Sequence, residues 1–210
     1  MRDRETGTWW QQVSGEAIQG PLKGKKLKLI AYEELTFDLW KKEQPGGRVL
    51  LPDPEILKKD HYAKADWEER IATYPVVGKI DKNDALKPRD LILGIELKGK
   101  AKAYPFAALK KNRAILDSID GIPVMLLLAT DNQSVRAFET VVDQTALSLY
   151  IKNEPPSELF FDVNTGTEWN FEGKAVSGPL TGKQLKRIPV LKDYWFDWKN
   201  YHPQTAVYVR

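Results

Sequence analysis

Histidine and cysteine, the side chains most often used for catalysis and metal binding, are scarce in this sequence, and that limits the chemistry it can do. Of 210 residues, two are histidines, His61 and His202, and none is cysteine. That rules out disulfides, thiol nucleophiles and thiolate metal sites within the chain. His61 follows Asp60 directly, and neighbouring residues do not converge on one ion through helix geometry, so it reads as an exposed loop histidine. His202 sits at the end of an aromatic segment, "DYWFDWKNYHP", where the expected role is capping a helix or bonding a carbonyl. No Gly-x-Ser-x-Gly, phosphate loop or His-Glu-x-x-His occurs. Asp117, Asp162, Glu168 and Glu172 are of the type that works in pairs in glycoside hydrolysis, but nothing in the sequence fixes their separation. No cofactor is implied.

The elements that would hold these residues are written twice. Thr6, Gly7, Thr8 and Trp10 match Thr165, Gly166, Thr167 and Trp169; after one dropped residue, the match runs from Gly15/Gly173 through Gly20-Pro21-Leu22/Gly178-Pro179-Leu180, Leu27/Leu185 and Ile30/Ile188 to Trp40/Trp198. Each copy reads as a short strand, a glycine-proline turn, a second strand and a short helix whose aromatics, three residues apart, anchor it to a β core. Between the copies, "DLILGIEL", "KAKAYPF", "RAILDSI", "IPVMLLLA", "SVRAFET" and "ALSLYI" read as strands, with "FAALKKN" a short helix and Asp120-Gly121 and Asp131-Asn132 as hairpin turns. The expected organisation is residues 1–51 as the C-terminal portion of a first unit, 52–89 as a connection, and 90–210 as a complete second unit. The expected fold is mainly β (α+β), with antiparallel sheets or a partly open barrel, short helices and a duplicated C-terminal unit.

Bulk properties fit a globular chain: 42% hydrophobic, 29% charged, net charge +3. The dispersed lysines give no basic face for nucleic acid, and no apolar run is long enough to span a bilayer. The start, "MRDRETGTWW", lacks the apolar core of a signal peptide.

"RDRETGTWWQQVSGEAIQGPLKGKKL", Ala103-Tyr104-Pro105, "TGTEWNFEGKAVSGPL" and "WFDWKNYHPQT" together resemble a bacterial family catalogued as domain of unknown function 3179. The resemblance implies an extracytoplasmic (periplasmic or extracellular) protein and no established reaction. Family members often carry a Cys-x-x-Cys-like pair after the strand that reads "PVMLLL" here; the aligned positions are Ala129 and Asn132, so redox or soft-metal chemistry is absent at this copy. Where the family favours Asn-Asp, this chain has Leu116-Asp117. The residues expected to touch a ligand are Trp10, Tyr104, Asp117, Asn132, Trp169 and His202, with no catalytic or metal-binding residue assigned. The first expectation for function is a non-catalytic binding or assembly module of the cell envelope. Its partners would be a glycan or small molecule and other subunits, in a homo-oligomer or a larger assembly. The alternative is the C-terminal part of a redox-linked or hydrolytic enzyme whose active residues lie upstream. Because the first unit lacks strands of its own to cover Trp9, Trp10, Leu22, Leu27, Ile30, Phe37 and Trp40, it should pack on the second unit or, preferentially, on another chain.

Overall fold

The computed structural model describes residues 1–12, 14–28, 30, 32–59, 64–76, 83–151 and 159–209. Two strands open the chain, β1 (Trp9–Trp10) and β2 (Ala17–Gln19), followed by three short helices, α1 (Phe37–Glu43), α2 (Pro54–Lys58) and α3 (Trp67–Thr73). Then come β3 (Leu91–Leu97), β4 (Lys100–Pro105), α4 (Phe106–Asn112), β5 (Ala114–Ile119), β6 (Ile122–Leu128) and β7 (Val135–Glu139). Short strands follow: β8 (Val141–Val142), β9 (Thr145–Ala146), β10 (Leu149–Ile151), β11 (Phe160–Asp162), β12 (Glu168–Trp169), β13 (Ala175–Ser177), β14 (Lys186–Ile188) and β15 (Leu191–Tyr194). Helix α5 (Trp195–Tyr201) and β16 (Ala206–Val207) complete the order.

Three four-stranded sheets form the body, ordered β15–β3–β4–β16, β14–β7–β6–β5 and β10–β11–β12–β13. All pairings are antiparallel except β16 with β4. The chain is therefore a mainly β protein with short helices, as its sequence implies. The sheets stay open, and no closed barrel forms among the described residues. The strand reading of the central segment holds closely, and Asp120, Gly121 and Asn132 take the positive φ that their hairpin turns demand. The parallel return of β16 and helix α2 had no counterpart in the sequence reading.

Each sheet buries one apolar face. Leu93, Ile95, Tyr104, Leu109, Leu126 and Ala137 form one core cluster; Met125, Phe138, Phe160, Trp169 and Leu185 form a second. Ile92, Ala103, Trp195 and Trp198 form a third under α5. The aromatics of α5 are anchors, as their spacing suggests. A Cβ at Gly94 would overlap the Trp198 indole, so glycine is what lets the helix lie flat on β3.

The two matching stretches share local geometry. Trp10 pairs with Ala17 and Trp169 with Ala175, each beside the same register shift. Gly20 (φ 108) and Gly178 (φ 86) lie so close to Thr8 and Thr167 that a Cβ would meet the threonine Cα at 2.8 and 2.7 Å. Asp3 accepts from the Thr6 hydroxyl at 2.8 Å and Asp162 from the Thr165 hydroxyl at 2.6 Å.

Candidate functional site

The residues before and within α1 are clasped to β7 by a buried arginine. Arg136, on β7, is 3% exposed, and an unpaired guanidinium there would be prohibitive. Its planar fork meets two carboxylates: Nε and Nη2 donate to Glu33 at 2.7 and 3.0 Å, and Nη1 and Nη2 donate to Glu43 at 2.7 Å each. The guanidinium lies 4.8 Å from the Phe171 ring centre, and Arg187 adds a 2.9 Å ion pair to Glu33. Burial opposes the charge on Arg136, but the two carboxylates overcome it and raise its pKa; burial raises Glu33, but Arg136 outweighs that and holds its carboxyl below the usual range. Thr36 caps α1 and also bonds across the seam. Its N–H donates to Ser134 Oγ at 2.8 Å and its hydroxyl to Asp131 at 2.7 Å, while Leu35 and Leu39 pack on the second core cluster.

A cleft of about 650 Å³ lies along this seam. Tyr32, Phe37, Trp40 and Arg48 form one side, and Val135, Ala137, Ile188 and Val190 the other. Phe37 and Trp40 stack with ring centres 5.7 Å apart. Tyr32, Pro189 and Lys192 also line a second cleft, of about 550 Å³, so the two meet there. The second mixes polar and apolar groups, with Gln11, Gln12, Glu96, Asp193, Asp197 and His202 beside Leu191, Trp198 and Tyr201. Burial, with the charge of Asp197 added, pushes the Asp193 carboxyl up to about 6 against the opposing Tyr194 N–H; burial also raises Asp197. Burial depresses His202, which Glu96 opposes and Lys26 reinforces. Its ring centre is 3.9 Å from that of Trp198 and its backbone N–H caps α5.

The residues expected from the sequence fall in five places. Tyr104 and Asp117 come together: Tyr104 is fully buried, its hydroxyl pKa raised by burial first and then by Asp117, which pairs with Lys102 at 2.5 Å. The Tyr104 hydroxyl makes no hydrogen bond of good geometry, and its ring lies tilted against that of Tyr208, centres 5.5 Å apart. Asn132 is exposed at the turn and accepts from Arg113, while its backbone N–H bonds Ala129 at 3.1 Å. Trp10 donates its indole N–H to Asp3 at 2.8 Å. Trp169 is fully buried and stacked on Phe160, its indole N–H unpaired. His202 alone lines one of the two clefts. His61 lies outside the described residues. Among the described residues, no group of three His, Cys, Asp or Glu side chains is placed to hold a metal ion.

Sequence reasoning passed over Arg136 with its two glutamates, and over Asp193 and Asp197. A signal for the aspartates was present, since in the matching of the two stretches they align with Leu35 and Leu39. Asp193 and Asp197 line the second cleft, whereas Leu35 and Leu39 pack on the second core cluster.

A family described as "Protein of unknown function (DUF3179)" matches residues 1–205. No curated protein and no solved structure matches the chain.

Proposed function

The chain belongs to that family, and we propose that it acts as a non-catalytic binding or assembly module of the bacterial cell envelope, with residues 1–51 as its platform. The envelope assignment is supported by the family resemblance. The assembly reading is carried by one contrast between two stretches that we read as copies of one unit. Leu27, Ile30 and Phe37 are 50, 73 and 58% exposed, whereas Leu185, Ile188 and Trp195 at the matching positions are 1, 5 and 1% exposed. Arg136 and the leucines cover one side of the first copy within the same chain, and its other apolar side stays open. Large apolar side chains left open in one stretch of chain support an interaction surface. Size analysis of gentle extracts from cells that make the protein tests this. The protein should run well above its monomer mass, and Leu27→Lys with Ile30→Lys should return it to monomer. A monomer in every extract sinks the reading.

The second cleft supports a ligand role alongside. A trough that combines carboxylates and amide side chains with the rings of Tyr32 and Tyr201 suits a glycan or another polar small molecule, which stacks and hydrogen-bonds at once. Titration calorimetry with an oligosaccharide series, repeated on Tyr201→Ala, addresses it; heats that the substitution leaves unchanged would remove the trough from consideration.

A further inference from the structure

The two clefts run on from one another, because Tyr32, Pro189 and Lys192 line both. Their chemistry differs on either side of that junction. In the first, of about 650 Å³, Val135 and Ala137 of β7, Ile188 of β14 and Val190 face the stacked rings of Phe37 and Trp40. The charges there are largely spent on one another: Arg136 on Glu33 and Glu43, and Arg187 on Glu33, leaving Arg48, which is exposed. What the inner walls offer a ligand is apolar surface.

In the second, of about 550 Å³, Gln11, Gln12 and His202 offer hydrogen bonds, and Tyr32 and Tyr201 offer rings. Glu96, Asp193 and Asp197 line it with no ion-pair partner among the described residues. Lys192, at the junction, is turned to Glu34 at 3.5 Å. Burial and the charge of Asp197 already raise the Asp193 carboxyl, and an anionic ligand would sharpen that repulsion. This end therefore accepts a head group that hydrogen-bonds and stacks without carrying negative charge.

We propose that one amphiphile spans both clefts: a glycolipid whose uncharged sugars lie against Tyr32 and Tyr201 and whose alkyl chain runs between Trp40 and β7. This rests on the ligand reading of the second cleft and names the class of ligand. A free glycan leaves the apolar walls in water, and a fatty acid sets its carboxylate among three others if its head takes the second cleft. A sugar head joined to an alkyl chain satisfies both ends at once. Each methylene withdrawn from water strengthens binding by up to about fourfold, so a chain that enters only a few methylenes deep dominates the affinity.

The test is titration calorimetry on the full chain with dodecyl maltoside, maltose and laurate, each below the concentration at which it forms micelles. Dodecyl maltoside should bind at least about tenfold more tightly than maltose, and more tightly than laurate. Trp40→Ala should remove most of the gain from the chain and leave the affinity for maltose unchanged; if it alters the circular dichroism, Phe37→Ser, at an exposed position, takes its place. Tyr201→Ala should weaken both sugars. Leu27→Ser with Ile30→Ser, at positions that line neither cleft, should change nothing. Dodecyl maltoside binding no more tightly than maltose overturns the inference and leaves the ligand reading standing. So does laurate binding as tightly, or a gain that the Leu27 and Ile30 changes abolish and the Trp40 change does not. No heat from any of the three overturns the inference and, if the oligosaccharide series is silent as well, the ligand reading with it.

Discussion

Asp193 departs from the behaviour of an ordinary solvated aspartate. Its carboxyl sits partly buried between β15 and α5, facing Asp197, with Lys192, Glu96, Tyr32 and His202 on the same cleft wall. The folded chain binds its proton up to a pH of about 6, whereas an unfolded aspartate releases it near 4. A raised carboxyl pKa means the contribution to stability is intact below the unfolded value and is lost as pH climbs through about 6. Asp193→Asn keeps the acceptor for the Tyr194 N–H and should raise stability at pH 7.5 by about 1–2 kcal/mol, after allowance for solvent screening. Urea unfolding at pH 7.5 and pH 4 checks this, and the gain should vanish at the lower pH. The exchange with Leu35 marks the position in the sequence, but the raised pKa was not legible there, because an aspartate in an aromatic segment reads as solvated until the opposing walls are known. The reverse holds for Tyr104 and Trp169. Their types and motif positions are obvious in the sequence, but full burial follows only from how β3–β7 and β10–β13 stack.

Helices α1 and α5 show how one element serves two ends. Both are seven residues long at matching positions, and their C-caps share nearly the same angles: φ −125°, ψ 65° at Gln44 and φ −124°, ψ 65° at His202. The sequence match alone foretells this. It does not foretell that the helices dock by different faces. Trp195 and Trp198 drive α5 onto β3, whereas Leu35, Leu39 and the glutamates draw α1 onto β7. Arg136 is the hinge pin of the second arrangement, and its partners lie far off in sequence, beyond the reach of local pattern. Arg136→Met leaves Glu33 and Glu43 facing one another with only Arg187 to offset them, so it should cost about 3–5 kcal/mol or release α1 outright. Equilibrium unfolding measures the first outcome, and faster protease cleavage within residues 33–43 reports the second. Unchanged stability together with unchanged protection would mean that the ion cluster does not hold the helix.

Across the molecule, what the sequence displayed well was the regular part. Alternating and continuous apolar runs between Leu91 and Glu139 became strands of nearly the expected lengths, because local pairing through tight turns leaves them few alternatives. What it displayed poorly was coverage, which depends on where distant pieces settle. Of the residues expected to find cover, Trp10 is buried, whereas Trp9, at 46%, Leu27, at 50%, Phe37, at 58%, and Ile30, at 73%, remain exposed; Leu35 and Leu39, outside that set, are the ones that pack on the second core cluster. Leu27→Ser with Ile30→Ser should therefore shift the monomer's unfolding free energy by less than about 0.5 kcal/mol. Leu185→Ala at the matching buried site should cost about 2–5 kcal/mol. Parallel urea titrations compare the two, and equal losses would mean that the first-unit residues are buried in the isolated chain.

The contacts of Arg136 with Glu33 and Glu43 span 103 and 93 residues of chain. During synthesis at roughly 5–20 residues per second, the aromatic N-terminal segment is made about 5–20 s before the arginine that fastens it. Throughout that interval Leu35 and Leu39 are as bare as Ile30. The nascent chain thus passes through a stage at which both sides of α1 are open to chaperones, and only the later arrival of β7 decides which side stays so.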